Sequence, residues 1–258
     1  MPNVSQSISK AFWATTPVRF SHLRAYGRSA AHGKHARLAS KDDPSYAMER
    51  GTAVHALLFG TKKVCGYPGQ QRRGKEYEAF VAAHPDTEIL TSAEYAKALR
   101  MASAVAECKL AEPYLQGVFE ETLLFKWMGL DCRATPDVRG DGFITELKTS
   151  ANSDPAKFLW HARRMHYHAQ LRFQEYGCAY NGHRMLEHFI VCVESDEPHP
   201  VTVFHLEPEA REEGEKLLRL WAERLKNCES SEHYPPYVEY VVPLVWPKED
   251  EFIFEEAA

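Results

Sequence analysis

Residues 133–149 read RATPDVRGDGFITELKT, and three of their charged groups have a spacing that could do chemistry: Asp137, Glu146 nine residues later, and Lys148 two beyond that. If the chain turns at Gly140-Asp141-Gly142, Asp137 comes back beside Glu146 and Lys148. Two carboxylates and one ammonium at the end of a sheet are the groups that metal-assisted phosphodiester hydrolysis needs. Hard cations take carboxylate and carbonyl oxygens, and Mg²⁺ keeps waters and substrate phosphate alongside one or two protein carboxylates. The cation acidifies its bound water and neutralises the attacked phosphate. A lysine two residues beyond a ligand can orient that water or stabilise the developing negative charge. The same residues also suit a plain surface hairpin with a Glu146–Lys148 ion pair, and spacing alone leaves both readings open.

The elements that must position this set are legible on both sides of it. Residues 143–149 alternate as β-formers, so the segment reads as the second arm of a hairpin. Residues two apart share a face of a strand, which puts Glu146 and Lys148 with Ile144, and Phe143, Thr145 and Leu147 on the other side. Asp154-Pro155 then opens a helix, with Asp at the N-cap and Pro in the first turn. Phe158, Ala162, Met165, Ala169, Phe173 and Tyr176 form its apolar face, and Arg163, His166, Gln170 and Gln174 share a neighbouring flank. Lys157, Arg163, Arg164 and Arg172 against one Glu175 make it the most basic helix of the chain. That charge serves either DNA phosphates or solvent.

Upstream, residues 46–59 read as a helix stopped by Gly60, with His55 inside it. Residues 91–111 read as a longer helix with Thr91 or Ser92 as N-cap. Two short helices are expected at 7–13 and 16–20, then a basic loop over 27–45, and an irregular exposed segment over 61–90. Residues 118–124 read as one strand leading through a turn at 127–130 into a second strand at Cys132. Residues 188–193 and 201–205 form a strand pair around Pro198-His199-Pro200. An acidic outer helix starts at Glu207-Pro208 and is followed by a Pro-rich, acidic tail. Glu112 and Glu121 are candidate outer metal acids that could equally be solvated.

The string Pro136-Asp137…Glu146-x-Lys148, the following basic helix with Gln170, and Gly51-x-x-x-His55 upstream together resemble the PD-(D/E)xK nuclease superfamily. Within it the chain is most similar to the RecE/lambda-exonuclease branch of phage-type recombination exonucleases (exodeoxyribonuclease VIII-like). The resemblance covers about residues 8–192, with a weaker echo at Pro243-Leu-Val-Trp246. It implies a restriction-endonuclease-like α/β core, a mixed sheet of four or five strands flanked by helices with an N-terminal helical extension. It further implies that Asp137, Glu146, His55 and the Leu147 carbonyl hold Mg²⁺ (Mn²⁺ also serving), that Lys148 positions the water, and that Gln170 orients substrate or Lys148. Gln170 opens the family's Gln-x-x-x-Tyr pattern, but the fourth place here is Gln174, with Tyr176 and Tyr180 nearby. Arg163, Arg164 and Arg172 are the candidate DNA contacts.

Composition bounds this reading. The chain has 258 residues, 44% hydrophobic and 26% charged, which is the profile of an ordinary globular protein in a single domain. We divide it into a mostly helical part at 1–111, a catalytic sheet and basic helix at 112–206, and an outer helix with acidic tail at 207–258. The net charge of −5 is unfavourable for a DNA-binding protein as a whole, but phosphate contact requires only local positive charge. Six cysteines at 65, 108, 132, 178, 192 and 228 include no C-x-x-C pair, which argues against an Fe–S cluster or zinc ribbon. No apolar run nears the roughly 20 residues of a membrane span, and the N-terminus lacks a secretory pattern. The expectation is a cytoplasmic enzyme, in a bacterial or phage-infected cell.

The function expected from the resemblance is a Mg²⁺-dependent exonuclease on linear double-stranded DNA ends. It would run 5′ to 3′ and leave single strands for a single-strand annealing protein in recombination, and it would assemble as a homo-oligomeric ring. The alternatives are an endonuclease of the same superfamily, a non-catalytic DNA-binding module, and an interaction protein whose hairpin is only surface.

Overall fold

The computed structural model describes residues 16–39, 46–69 and 71–245. The helix expected at 7–13, Trp246 and the end of the acidic tail lie outside the described residues. The centre is a five-stranded mixed sheet of β3 (Val118–Phe119), β6 (Val138–Arg139), β7 (Phe143–Ser150), β8 (Glu187–Glu194) and β9 (Val201–His205), in that spatial order. β6 and β7 pair antiparallel with Val138 opposite Thr145 and Arg139 opposite Ile144. This is the hairpin read from the Gly-rich turn. β7 runs parallel to β8, Glu146 beside Ile190 and Lys148 beside Cys192, and β8 turns back antiparallel to β9. A central strand covered on both faces should be apolar throughout, so the charged Glu146 and Lys148 in β7 mark a site.

The alternation along β7 sorts its side chains as expected. Leu147 packs with Ala53 and Val54 of α3 (Tyr46–Phe59) and Met101 of α5 (Ser92–Glu107). Ile144 packs on the opposite face with Phe158 of α6 (Pro155–Met165) and Leu171 of α7 (Tyr167–Tyr180). Beyond α7 lies a further layer. It comprises α1 (Phe20–Arg28), α2 (Ala30–Leu38), the hairpin of β4 (Leu123–Trp127) and β5 (Leu130–Ala134), and α8 (Pro208–Ser231). Tyr26, Phe125, Phe173 and Trp221 fill the core between them. Helix α7 is therefore buried on both sides, with Leu171 toward the sheet and Phe173 toward the outer layer. Thr91 caps α5 through its side chain, which accepts from the Glu94 N–H, and Asp154 caps α6.

Five segments differ from the sequence expectation. The short helix expected at 16–20 is instead α1, starting only at Phe20, because Val18 is extended and bridges Cys132 in parallel. The basic loop over 27–45 contains α2, started by the Ser29 side chain, which accepts from the His32 N–H. The segment 61–90 holds β1 (Lys63–Tyr67) and β2 (Thr87–Thr91), paired in parallel around α4 (Lys75–Ala83). Its strands are short, and the Gly/Pro residues between them masked the pattern. The single strand over 118–124 is two strands in different sheets, divided where Glu120 takes a left-handed conformation (φ 47). The one long basic helix is two, broken at His166 (φ 58, ψ 40). Neither Gly nor Pro marks that break, so periodicity ran through it.

Among the described residues, no helix is long and apolar enough to cross a membrane. Close approach of α1 to α2 depends on Gly33, where a Cβ would lie 2.3 Å from the fully buried Tyr26 ring. Gly33→Ala is therefore expected to destabilise the fold by about 1–3 kcal/mol through overpacking, read as a lower midpoint in denaturant. An unchanged midpoint would mean that the two helices separate freely.

Candidate active site

The hairpin delivers Asp137 to β7 by a backbone contact. The Leu147 N–H donates to Asp137 Oδ2 at 2.8 Å. This fixes one carboxylate oxygen and leaves Oδ1 facing His55 Nδ1 at 3.5 Å. His55 reaches the site from α3. Gly51, four residues earlier on that helix, lets the backbone approach β7, since a Cβ there would sit 3.2 Å from Thr149 Oγ1. The other ring nitrogen of His55, Nε2, lies 3.0 Å from the Leu147 carbonyl oxygen. A carbonyl only accepts, so Nε2 carries a proton, and bonding to Asp137 requires a second proton on Nδ1.

Glu146 is the most enclosed charge of the site, with 1% of its surface exposed. Lys148 Nζ and Gln170 Nε2 both donate to its Oε2, the latter at 2.6 Å, and Gln174 Nε2 donates to Oε1. Gln170 and Gln174 are one turn apart on α7 and so face the same carboxylate. Tyr167, at the start of that helix, presents its ring 5.0 Å from Lys148 Nζ, and its hydroxyl lies 3.3 Å from His161 Nε2.

The electrostatics follow from crowding charge in a dry place. Burial and then the Asp137 charge push the Glu146 carboxyl up, against the pull of Lys148 and Gln174. Burial also raises Asp137, but His55, Lys148 and the Leu147 N–H outweigh it and hold it low. Burial lowers His55 and Lys148, and the two carboxylates more than reverse this in both. Two adjacent buried carboxylates with one strained upward form a site that accepts further positive charge.

These donors fit a hard divalent cation. Asp137, Glu146 and the Leu147 carbonyl supply only oxygens, in a number that suits an ion retaining several waters. Among the described residues no group of three or more His, Cys, Asp and Glu is gathered for a metal. His55, expected as a ligand, instead bridges two of the other expected ligands. An imidazole protonated on both nitrogens could not coordinate, so a cation and a proton would compete at this position.

The other sequence candidates are placed as follows. Glu121 pairs with Arg139 at 2.6 Å, and Glu112 sits exposed on the short turn Glu112–Leu115, 3.9 Å from Lys109. Both are thus committed outside the carboxylate pair. Arg163 is exposed and meets Glu213 at 3.1 Å, and Arg164 is exposed on α6. Arg172 corrects the sequence reading: its guanidinium is held by Glu175 and by Glu215 of α8, so it is not a free phosphate contact. Tyr176 stacks on Trp127, in the outer layer, and Tyr180 is exposed. The tyrosine near Lys148 is Tyr167, which the reading of the helix overlooked. Its position three residues before Gln170 was the available signal. Gln174 was noted only as a departure from pattern, yet it holds Glu146 directly.

Residues 19–241 match the profile of a family described as a PDDEXK-like domain of unknown function (DUF3799). Among solved structures, the chain is similar to a protein from Eubacterium rectale provisionally described as an exonuclease. The TM-score is 0.65 at 13% identity, covering 98% of this chain and 99% of that one. That likeness shows the fold, a mixed sheet flanked by helices. The structure of SSO0001 aligns over 80% of this chain and 84% of its own, at 11% identity and a TM-score of 0.30. No curated protein matches the chain.

Mg²⁺ or Mn²⁺ is expected to raise the melting temperature of the wild type. At a concentration of about 100 Kd the gain is about 2.7 kcal/mol, and Asp137→Asn and Glu146→Gln should lose most of it. An equal shift in all three proteins would place the cation elsewhere. His55 gives a pH signature in chelator. Its raised pKa makes its contribution complete below the ordinary value of 6.5 and lost as pH rises through the folded-state value. The wild type should therefore lose stability above about pH 6.5 more steeply than His55→Gln, measured by thermal melts across a buffer series. Parallel curves would rule out the protonated bridge.

Proposed function

The chain belongs to the PDDEXK-like DUF3799 family, and from that premise we propose that it is a metal-dependent deoxyribonuclease. The observation that supports this best is the carboxylate pair of half-buried Asp137, just before β6, and buried Glu146 on β7, the first fixed by the Leu147 N–H and the second bonded to Lys148. A structural hairpin would gain nothing from burying two adjacent carboxylates, since a buried charge costs free energy that its partners only partly offset.

Asp137, Glu146 and the Leu147 carbonyl would hold the cation, which when bound supplies an acidified water and charge neutralisation at the phosphate. The protein's own residues do the positioning. The Leu147 N–H fixes the rotamer of Asp137. Gln170 and Gln174 hold both oxygens of Glu146, so neither rotates away. Lys148 keeps its ammonium beside them, raised in pKa by both carboxylates, where it orients the attacking water and offsets negative charge at the phosphorus. The Tyr167 ring lies against the Lys148 ammonium and restricts its four-carbon stem.

Within that reading we assign digestion of linear duplex DNA from its ends, 5′ to 3′, as a homo-oligomer supplying single strands to an annealing partner in recombination. The support is the resemblance of the Asp137…Glu146-x-Lys148, Gln170 and Gly51…His55 set to the RecE/lambda-exonuclease branch. Fold alone is a weaker warrant for polarity.

The test is digestion of linear duplex labelled at the 5′ or the 3′ end, with Mg²⁺ or chelator, beside closed circular duplex. Linear DNA should be degraded only with the cation, and Lys148→Ala and Glu146→Ala should lower the rate at least about 10²–10³-fold. Cutting of the circle would move the assignment to an endonuclease. Intact linear and circular DNA would leave a binding module.

A further inference from the structure

Helix α6 is anchored by Phe158, which is 1% exposed, and turns an apolar and basic arc to the outside. At about 100° per residue, Leu159, Arg163, Trp160, Arg164 and Lys157 follow one another around that arc. Leu159 is 63% exposed and Trp160 68%. The helix has no acidic residue after its cap, Asp154. Among the described residues Lys157 and Arg164 form no ion pair, and Arg163 meets only Glu213 of α8, in an exposed pair that contributes little. Adjacent exposed Leu and Trp side chains rimmed by cations mark a contact site rather than a solvated face.

The same chain holds a segment of matching apolar character and opposite charge. Residues 249–256 read EDEFIFEE, with Phe252, Ile253 and Phe254 set between acids on both sides. They lie outside the described residues, but the chain that leads to them is placed. After α8 it turns back along α2: the Ala31 N–H donates to the Pro235 carbonyl, and Arg28 Nε donates to the Tyr237 hydroxyl at 3.2 Å. Gly27, next to Arg28, lies against the Trp221 ring, whose centroid is 5.1 Å from that of His166 at the end of α6. A short series of contacts thus connects Tyr237 to the end of α6. Beyond it Tyr240, Val241, Val242, Leu244 and Val245 are all exposed. Residues 238–249 can span up to about 40 Å, against about 16 Å for the length of α6, so the segment can reach the arc.

We propose that the exposed arc of α6 is the docking face for residues 249–256 of the same chain, with Phe252, Ile253 and Phe254 covering Leu159 and Trp160 while the flanking acids meet Lys157, Arg163 and Arg164. Exposed ion pairs contribute little, so the aromatic contact supplies the affinity and the charges select the face. A second copy carries the same segment, but only at the concentration of the protein. Attachment to the same chain raises the effective concentration to roughly the millimolar range, so a weak contact suffices within one molecule. The docked acids occupy the cations of α6, and any polyanion approaching that face must displace them. The contact itself does not rest on the nuclease reading.

The experiment places the photoreactive residue p-benzoylphenylalanine at position 159 of the full chain, and separately at position 110, where Leu110 is 64% exposed. After irradiation, mass mapping should join position 159 to residues 249–256 within a single chain, and position 110 should not capture them. Phe252→Ser with Phe254→Ser should lose most of the adduct. Arg164→Gln should lower it and Arg164→Lys should restore it. Leu159 and Arg164 are exposed, so neither change threatens the fold. No adduct with residues 249–256, or equal capture from position 110, would overturn the proposal. Adducts joining two chains would overturn it in favour of a second copy, and adducts with added duplex while the segment stays uncaptured would do so in favour of a nucleic acid. Capture of the segment in a chain that cuts neither linear nor circular DNA would sink the nuclease reading and leave the contact standing. Cleavage without capture would do the reverse.

Discussion

The carboxylate of Glu146 sits in the middle of the central sheet with almost no water, and much of the surrounding structure answers that fact. An isolated buried carboxylate protonates or unfolds its surroundings. Here Lys148, Gln170 and Gln174 supply donors to both of its oxygens. The neighbouring Asp137 makes matters worse by repulsion, and its own charge is kept by His55 and the Leu147 N–H. The balance is local and tight: two carboxyl groups, an ammonium and an imidazole within one face and one edge of β7. The protein retains this arrangement although an apolar strand would be cheaper, and it does so at the one place where the family's motif falls.

The hairpin was legible because two independent signals agreed, a Gly-rich turn and period-two alternation, and both survive burial. The opposite faces of β7 were legible for the same reason. What escaped was governed by distant contacts. The break at His166 has no Gly or Pro, since a histidine takes the left-handed conformation when its N–H can bond back to the Ala162 and Arg163 carbonyls. The parallel pair of β1 and β2 spans short strands whose pairing depends on α4 between them. The pairing of Arg172 with Glu215 joins two helices that no local pattern connects.

The resemblance supplied what spacing could not. Asp137, Glu146 and Lys148 were readable as a chemical set from residue types alone, whereas His55 and Gln170 came only with the family. The structure treats those two differently. Gln170 lies on Glu146, within the set. His55 lies 3.5 Å from Asp137 Oδ1 and 3.0 Å from the Leu147 carbonyl oxygen, between two of the other expected ligands. A family position thus pointed to a residue that lies beside Asp137 and the Leu147 carbonyl, while the sequence left its protonation undetermined.

The break at His166 gives α7 its function. A continuous helix from Pro155 would fix the rotation of every later residue by that of Phe158, which must face the sheet. Resetting the phase at His166 frees α7 to present Tyr167 to Lys148, and then Gln170 and Gln174 to Glu146, while Leu171 still packs on Ile144. The left-handed residue costs about 1 kcal/mol, which is small beside leaving both oxygens of a buried carboxylate without these donors. The same phase sets the outer face of α7 against α8, where Gly214 allows contact with the His168 backbone. One unfavourable dihedral pair therefore aligns the site with the outer layer.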